Sequence, residues 1–223
     1  MDYEKALGRL RALAAESGPP ADGDAPGRKS RESAVDMLAR EISRRATHSL
    51  AVELWRSGDS DARSLATRLA DPEALGAEGL DTWLRELEGS RALEAFVDHL
   101  ALFSPQAHTL MVRWAADENQ MVQRCGYRMV ARLAQDDPDL DDRLLEEKLR
   151  AIEEHVATSK AEAKKAISKA LVTIGQRNDR LAALAIDVAR RLGPIEIEIE
   201  SGRLRADPVK LLEDPELARR LLD

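Results

Sequence analysis

Aromatic residues are scarce in this chain: three Trp, two Tyr and two Phe in 223 residues, or 3%, against 43% apolar residues overall. Its core must therefore be built from Leu, Ala, Ile and Val. Abundant Ala, Leu, Arg and Glu, with few β-branched runs, exclude an extended sheet as the main architecture. Cysteine occurs once, at Cys125, so no intramolecular disulfide forms, and a buried structural thiol in a reducing compartment is expected. No apolar run reaches the ~20 residues of a membrane-spanning helix. The N-terminal MDYEKALGRLRALAAES is amphipathic and charged instead of leader-like, which points to a cytoplasmic protein with no membrane contact. Gly-rich loops between a strand and a helix are missing, so a nucleotide cofactor finds no support. His48, His99, His108 and His155 lack metal-ligand spacing, and the acidic run Asp136, Asp137, Asp139, Asp141 and Asp142 lacks the Gly and terminal Glu of a calcium loop. Neither a metal nor any other cofactor is expected. Positive charge is not in excess either: the formal net charge is -7, which excludes a basic coat and confines any nucleic-acid contact to a local face.

What the chain does have is helical periodicity from end to end. After a first helix, Gly18 to Gly27 (GPPADGDAPG) reads as a mobile linker. From Ser30 onward Val35, Leu38 and Ile42 share a face. Ala51, Leu54 and Trp55 follow, Gly58 ends that helix, Ser60 is placed to cap its partner, and Asp71-Pro72 stops the next. Shorter helices are expected over Leu80 to Leu87 and Ser90 to Phe103, and Ser104-Pro105 opens the one carrying Leu110, Met111 and Trp114. Asp117 is placed to cap the helix bearing Val122, Cys125, Met129 and Leu133. Leu140 to Val156 has an acidic outer face, and Ser159 with Glu162 makes a capping box for Ala163, Ile167, Ala170 and Ile174. Asn178 introduces Leu181, Leu184, Val188 and Leu192. Gly193-Pro194 closes the helices, and IEIEIESGRLRAD alternates with period two about a Ser201-Gly202 turn. Pairing Glu200 with Arg203, Glu198 with Arg205 and Ile199 with Leu204 would segregate charge from apolar surface, and a last helix from Pro215 would cover that hairpin.

Helix pairs recur at intervals of about 40 residues, as in HEAT-like repeats. The expected fold is all-α: a right-handed α-α superhelix of antiparallel helix pairs with a small C-terminal β-hairpin. Its expected divisions are an N-terminal helix and linker over 1–29, the repeat domain over 30–192, and the hairpin with a short helix over 193–223.

Three blocks carry a resemblance. HSLAVELWRSGDSDARSLATRLADP (His48 to Pro72), WAADENQMVQRCGYRMVARLA (Trp114 to Ala134) and KKAISKALVTIGQRN (Lys164 to Asn178) together resemble the AlkD-like DNA alkylation repair family. That is a HEAT-like repeat group whose characterised members include DNA glycosylases acting on alkylated purines. The likeness covers roughly Ser30 to Leu192. In such glycosylases a Trp-Asp pair, followed three residues later by a second Asp, starts the helix that meets the lesion. Trp83 matches the family Trp seven residues before that pair, so the corresponding run here is Ser90-Arg91-Ala92-Leu93-Glu94. The resemblance then implies that Ser90 replaces an aromatic ring, Glu94 replaces the catalytic carboxylate, Arg124 matches a DNA-contacting arginine, and Lys169 stands where a second lesion-facing Trp is usual.

These replacements have a physical cost. A cationic alkylpurine gains about 0.5–2 kcal/mol from each aromatic face; Ser90 offers none, and Lys169 repels the cation. Glu94 keeps a negative charge near the developing positive sugar but displaces it, and a shift of roughly 1 Å can cost 10²-fold in rate. Reduced or absent excision is expected.

Arg124, Arg128 and Arg132 recur every four residues and form one stripe; Lys165 and Lys169 do the same two helices later, with Arg177 and Arg180 at a helix junction. In a solenoid these cations would line a concave face where a phosphate backbone could run. The alternatives are a solvated face neutralised by local acids, an ion pair of Glu94 with Arg91, and tryptophans that pack in the core instead of stacking on bases. Two functions are therefore open: a DNA-binding protein for duplex or damaged DNA with reduced or absent glycosylase activity, and a non-catalytic scaffold for a protein partner.

Overall fold

The computed structural model describes residues 3–16, 25–42, 48–87, 90–199 and 202–222. Among them are thirteen α-helices, one 3-10 turn and two strands. The chain divides into two compact units, Met1–Gln106 and Ala107–Asp223.

The first unit holds α1 (Tyr3–Glu16), α2 (Ala25–Ile42), α3 (His48–Arg56), α4 (Ser60–Leu69), α5 (Pro72–Arg85), α6 (Ser90–His99) and the 3-10 turn Ala101–Phe103. Helix α4 packs on α2, α3 and α6, so its apolar side is enclosed and Leu65 and Ala66 are wholly buried. Helix α2 starts at Ala25, before the Ser30 expected from the sequence. The first turn of a helix has N–H groups without helical partners, so Pro26 and Gly27 are tolerated there. Residues 18–24 of the expected linker lie outside the described residues. The cap of α4 is Asp59, not Ser60: its carboxylate accepts from the Ala62 N–H at 2.8 Å. Gly58 reaches the turn before it with φ 74°, which a side chain would oppose. Asp71, expected only to stop α4, also caps α5 with Pro72 in the first turn, so that helix starts before the Leu80 expected from the sequence.

The second unit holds α7 (Ala107–Ala115), α8 (Gln120–Asp136), α9 (Asp142–Thr158), α10 (Ala161–Gly175), α11 (Asp179–Leu192), β1 (Ile195–Ile199), β2 (Gly202–Ala206), α12 (Pro208–Glu213) and α13 (Pro215–Leu222). Helix α8 packs on α7 and α10, α9 on α10 and α11, and α10 on α11. Its centre is tight because Gly126 lets the α7 backbone approach: a Cβ there would lie 2.1 Å from the Ala115 nitrogen. Cys125, Met129 and Val130 are fully buried on α8, so Cys125 is the structural thiol expected.

Two caps differ from expectation. Asn119, not Asp117, caps α8, accepting from the Met121 and Val122 N–H groups, while Asp117 accepts from the Asn119 N–H. Helix α10 starts after Lys160 without a side-chain cap, and Ser159 instead donates to Gln123 Oε1 at 2.7 Å, so no capping box forms through it. Asn178 caps α11 as expected. The hairpin forms, but its register pairs Glu196 with Arg205, Glu198 with Arg203 and Ile197 with Leu204. Glu200 lies outside the described residues. Strand β1 packs on α10, as do α12 and α13, so the buried face of the hairpin meets α10 instead of a covering last helix.

Candidate nucleic-acid interface

Helices α8 and α10 run parallel, tied at both ends by hydrogen bonds about one repeat long. At their N-terminal ends the Lys160 N–H donates to Gln120 Oε1 at 2.9 Å, beside the buried Ser159–Gln123 bond. The C-terminal ends are joined by Arg177, which follows α10. Its Nε donates to Asp142 at 2.9 Å, Nη1 to the Ala134 and Asp137 carbonyls at 2.9 Å each, and Nη2 to the Pro138 and Leu140 carbonyls at 3.3 and 2.9 Å. A guanidinium has five N–H donors, and all five are used within the last turn of α8, the α8–α9 loop and the start of α9. The same contacts hold the Asp142 carboxyl below its ordinary range, through the Arg177 hydrogen bond first and the Asn178 amide second.

The expected phosphate-contacting cations are distributed along these two helices and the junction after α10. Arg124, Arg128 and Arg132 follow one stripe of α8, the first two half-buried and the third exposed. Lys165 and Lys169, both half-buried, follow the equivalent stripe of α10, one repeat later. The helices that carry the two stripes are in register, one repeat apart. Arg132 pairs with Asp136 one turn on, at 3.1 Å; both side chains are nearly half exposed, so solvent weakens the pair. Arg180, exposed, reaches Glu146 at 2.6 Å. Arg177 is set apart from this row: its side chain is 14% exposed and it points into the junction. Beside that junction lies a cleft of about 670 Å³ lined by Gln135, Asp136, Asp142, Thr173, Gln176 and Arg177 among others.

Glu94 sits on α6 in the first unit, half-buried. Ser90 opens that helix, and the side chains of Ser90 and Arg91 lie outside the described residues. The three tryptophans belong to the core. Trp55 stacks on Trp83 with ring centroids 4.1 Å apart and planes 6° from parallel. Trp55 Nε1 donates to Glu86 Oε2 at 2.6 Å, and the Arg63 guanidinium stands 5.1 Å above the Trp55 ring. Trp114 is fully buried. Their burial leaves none of the three positioned to stack on a base.

Between α8 and α9 lies a second polar feature. Tyr127, fully buried, shares a hydrogen bond between its hydroxyl and His155 Nδ1 at 2.5 Å, and burial pushes the phenol up and the imidazole down. Burial also lowers Lys148, whose Nζ reaches the Val112 carbonyl at 3.5 Å. Tyr127 is therefore neutral, and its bond to His155 is a structural link between helices. Among the described residues no group of three or more His, Cys, Asp or Glu is arranged to hold a metal ion, and no helix is long and apolar enough to cross a membrane.

Consecutive helix pairs, locked in register through contacts that repeat every 36 to 43 residues, define a helical-repeat protein. Among solved structures, a protein described as belonging to a new family related to the HEAT-like repeat DNA glycosylases, with affinity for branched DNA structures, matches all of this chain. The match covers 96% of that chain, with a TM-score of 0.80 and 20% sequence identity; it shows the HEAT-like repeat fold. The DNA alkylation repair enzyme family matches residues 29–197, and the chain belongs to that family. No curated protein matches the sequence.

The junction residues Gln120 and Gln123 carried no recognisable signal, and Ser159 carried that of a helix cap instead of a link to Gln123. Glutamine on an amphipathic helix is an ordinary surface residue until a second helix is laid beside it. Arg177 follows the Ile-Gly end of α10, but the carbonyls it satisfies belong to the end of α8 and the loop after it, which its place in the sequence does not indicate.

Proposed function

We propose that this protein binds DNA through the paired stripes of α8 and α10, with Arg124, Arg128, Arg132, Lys165 and Lys169 contacting phosphates. The observation that carries this is the parallel register of the two helices, which supports a reading in which a sugar–phosphate backbone meets the cations of both repeats. Family membership points the same way, and the affinity of the structural relative for branched DNA makes branched as well as damaged duplexes the first ligands to test.

Glycosylase chemistry in this reading is reduced or absent. Ser90 and Lys169 stand where the family resemblance calls for aromatic rings, and the buried tryptophans do not replace them. If excision occurs, Glu94 stabilises the positive sugar and Arg124 holds a phosphate of the lesion strand. Net charge of -7 keeps a protein-binding scaffold as the second reading, favoured by the pairing of Arg132 and Arg180 with Asp136 and Glu146.

The test is binding to labelled duplex, abasic-analogue duplex and four-way junction across a salt series. Saturable binding that weakens with salt, and further in Arg124→Ala and Lys169→Ala, supports DNA binding. Each substitution should lower the log–log salt slope by about 0.9 for the phosphate lost. No binding at low salt rejects it in favour of a protein partner.

A further inference from the structure

Sequence spacing grouped Arg177 with the phosphate-contacting cations, yet its five N–H groups are all directed at acceptors of this chain. Four of the acceptors are backbone carbonyls: Ala134 in the last turn of α8, and Asp137, Pro138 and Leu140 in the loop that leaves it. The fifth is the Asp142 carboxylate at the start of α9. Arg177 itself lies between α10 and α11. One side chain therefore joins the end of one helix pair to the end of the next, 35 to 43 residues earlier in the chain. Asn178 strengthens the link by donating to the second Asp142 oxygen at 2.8 Å while its own carbonyl caps α11.

We propose that Arg177 is a positioning residue: by clamping the α8–α9 junction to the end of α10 it fixes the register in which the Arg124–Arg128–Arg132 stripe and the Lys165–Lys169 stripe meet DNA together. This rests on the DNA-binding reading above. Three properties make Arg177 suited to it. A planar fork with donors on three nitrogens spans acceptors on five residues; the three donors of a lysine, all on one atom, cannot. The orphan carbonyls at a helix C-terminus attract a cation. The opposite ends of the two helices are already held by Gln120 and Gln123, so releasing Arg177 leaves one end tied and lets the other swing, separating the stripes where Arg132 and Lys169 stand.

A charge-conserving substitution separates positioning from direct contact. If Arg177 met a phosphate, Arg177→Lys would keep most of the affinity and the full salt slope, and Arg177→Ala would lower the slope by about 0.9. Under the positioning role, both variants lose about tenfold or more in affinity, and in both the slope falls by about 2 as Lys165 and Lys169 cease to engage with α8. Asp142→Asn gives an opposed sign: removing a negative charge strengthens phosphate binding on electrostatics alone, whereas loosening the clamp weakens it.

The distance between nitroxide labels at Gln135→Cys and Gln176→Cys, in a Cys125→Ala background, reads the clamp without DNA. It should be narrow in the otherwise unaltered protein and broad with Arg177→Lys or Asp142→Asn. Wild-type affinity retained by Arg177→Lys, tighter binding by Asp142→Asn, or an unchanged label distance would each overturn the proposal. If the unaltered protein binds no DNA, the functional reading fails by itself, and the label distance still decides whether Arg177 sets the register. If Arg177 variants do not fold, Asp142→Asn, which keeps the four carbonyl contacts, carries the test.

Discussion

Substituting Gly126 by Ala would place a methyl group into the backbone of the neighbouring helix. Its Cβ would lie 2.1 Å from the Ala115 nitrogen, 2.4 Å from the Trp114 carbonyl carbon and 2.5 Å from the Ala115 Cα. Each is more than about 0.8 Å short of ordinary contact. None of these atoms is the end of a flexible side chain, so relief requires α7 and α8 to separate. Overpacking costs about 1–3 kcal/mol and occasionally more, and three backbone clashes place this one at the upper end even after the ~1 kcal/mol that Ala gains over Gly in a helix. A loss of about 3 kcal/mol corresponds to a midpoint roughly 6–12 °C lower for a chain of this size. Gly8 is the control: it is helical in α1 with nothing within 4 Å of its would-be Cβ, so Gly8→Ala should stabilise by up to about 1 kcal/mol. Thermal unfolding followed by circular dichroism and by calorimetry measures both, in different compact units. A midpoint for Gly126→Ala equal to or above the parent would refute the close approach of α7 and α8. It would also undercut the packing assigned to the cationic helix.

Three further outcomes follow from the same structure. His155 is held below its ordinary pKa chiefly by burial, so the unfolded chain takes up a proton near pH 6.5 that the folded chain refuses. Stability should thus decline as pH falls below about 6.5, a trend that His155→Gln should remove from the urea midpoints between pH 7.5 and 5.5; an identical decline in the variant would refute it. Trp83→Ala removes the partner stacked on Trp55 and should cost about 3–5 kcal/mol with a red shift of tryptophan emission, whereas a change under about 1 kcal/mol would mean the pair packs loosely. Finally, release of 7-methylguanine from alkylated duplex should be absent or about 10²-fold below that of a relative with both tryptophans. Release that Glu94→Gln abolishes would show that this carboxylate still catalyses.

Helix identity and the repeat were legible because apolar spacing and Ala/Leu/Glu propensity agree along the chain; Asn178, Asp71-Pro72 and Gly193 marked boundaries unambiguously. Capping residues were harder where candidates adjoin. Asp59 beside Ser60, and Asn119 two residues after Asp117, are chemically equivalent caps, and the turn geometry before the helix selects between them. The hairpin register failed for a different reason. Moving the pairing by two residues keeps every side chain on its face, so the alternation IEIEI against RLRA fits either register, and only packing on α10 distinguishes them. Arg177 shows the limit of charge patterning: spacing along the chain groups cations by helix, but whether a guanidinium faces solvent or an uncapped helix end depends on a loop 35 to 43 residues away. The rows at Arg124 and Lys165, on helices expected to share one face of a solenoid, were visible; the hydrogen bonds that hold α8 and α10 in register were not.

The single thiol of this chain is in the middle of α8, with no exposed surface. A reagent in solution reaches it only when that helix parts from its neighbours, so the rate at which Cys125 is modified counts the openings of the helix carrying the arginine stripe. The protein thereby contains its own clock for that segment. A ligand seated across α8 and α10 must leave before they separate, and should slow the clock in proportion to its occupancy; a ligand held elsewhere would leave it running at its unliganded rate.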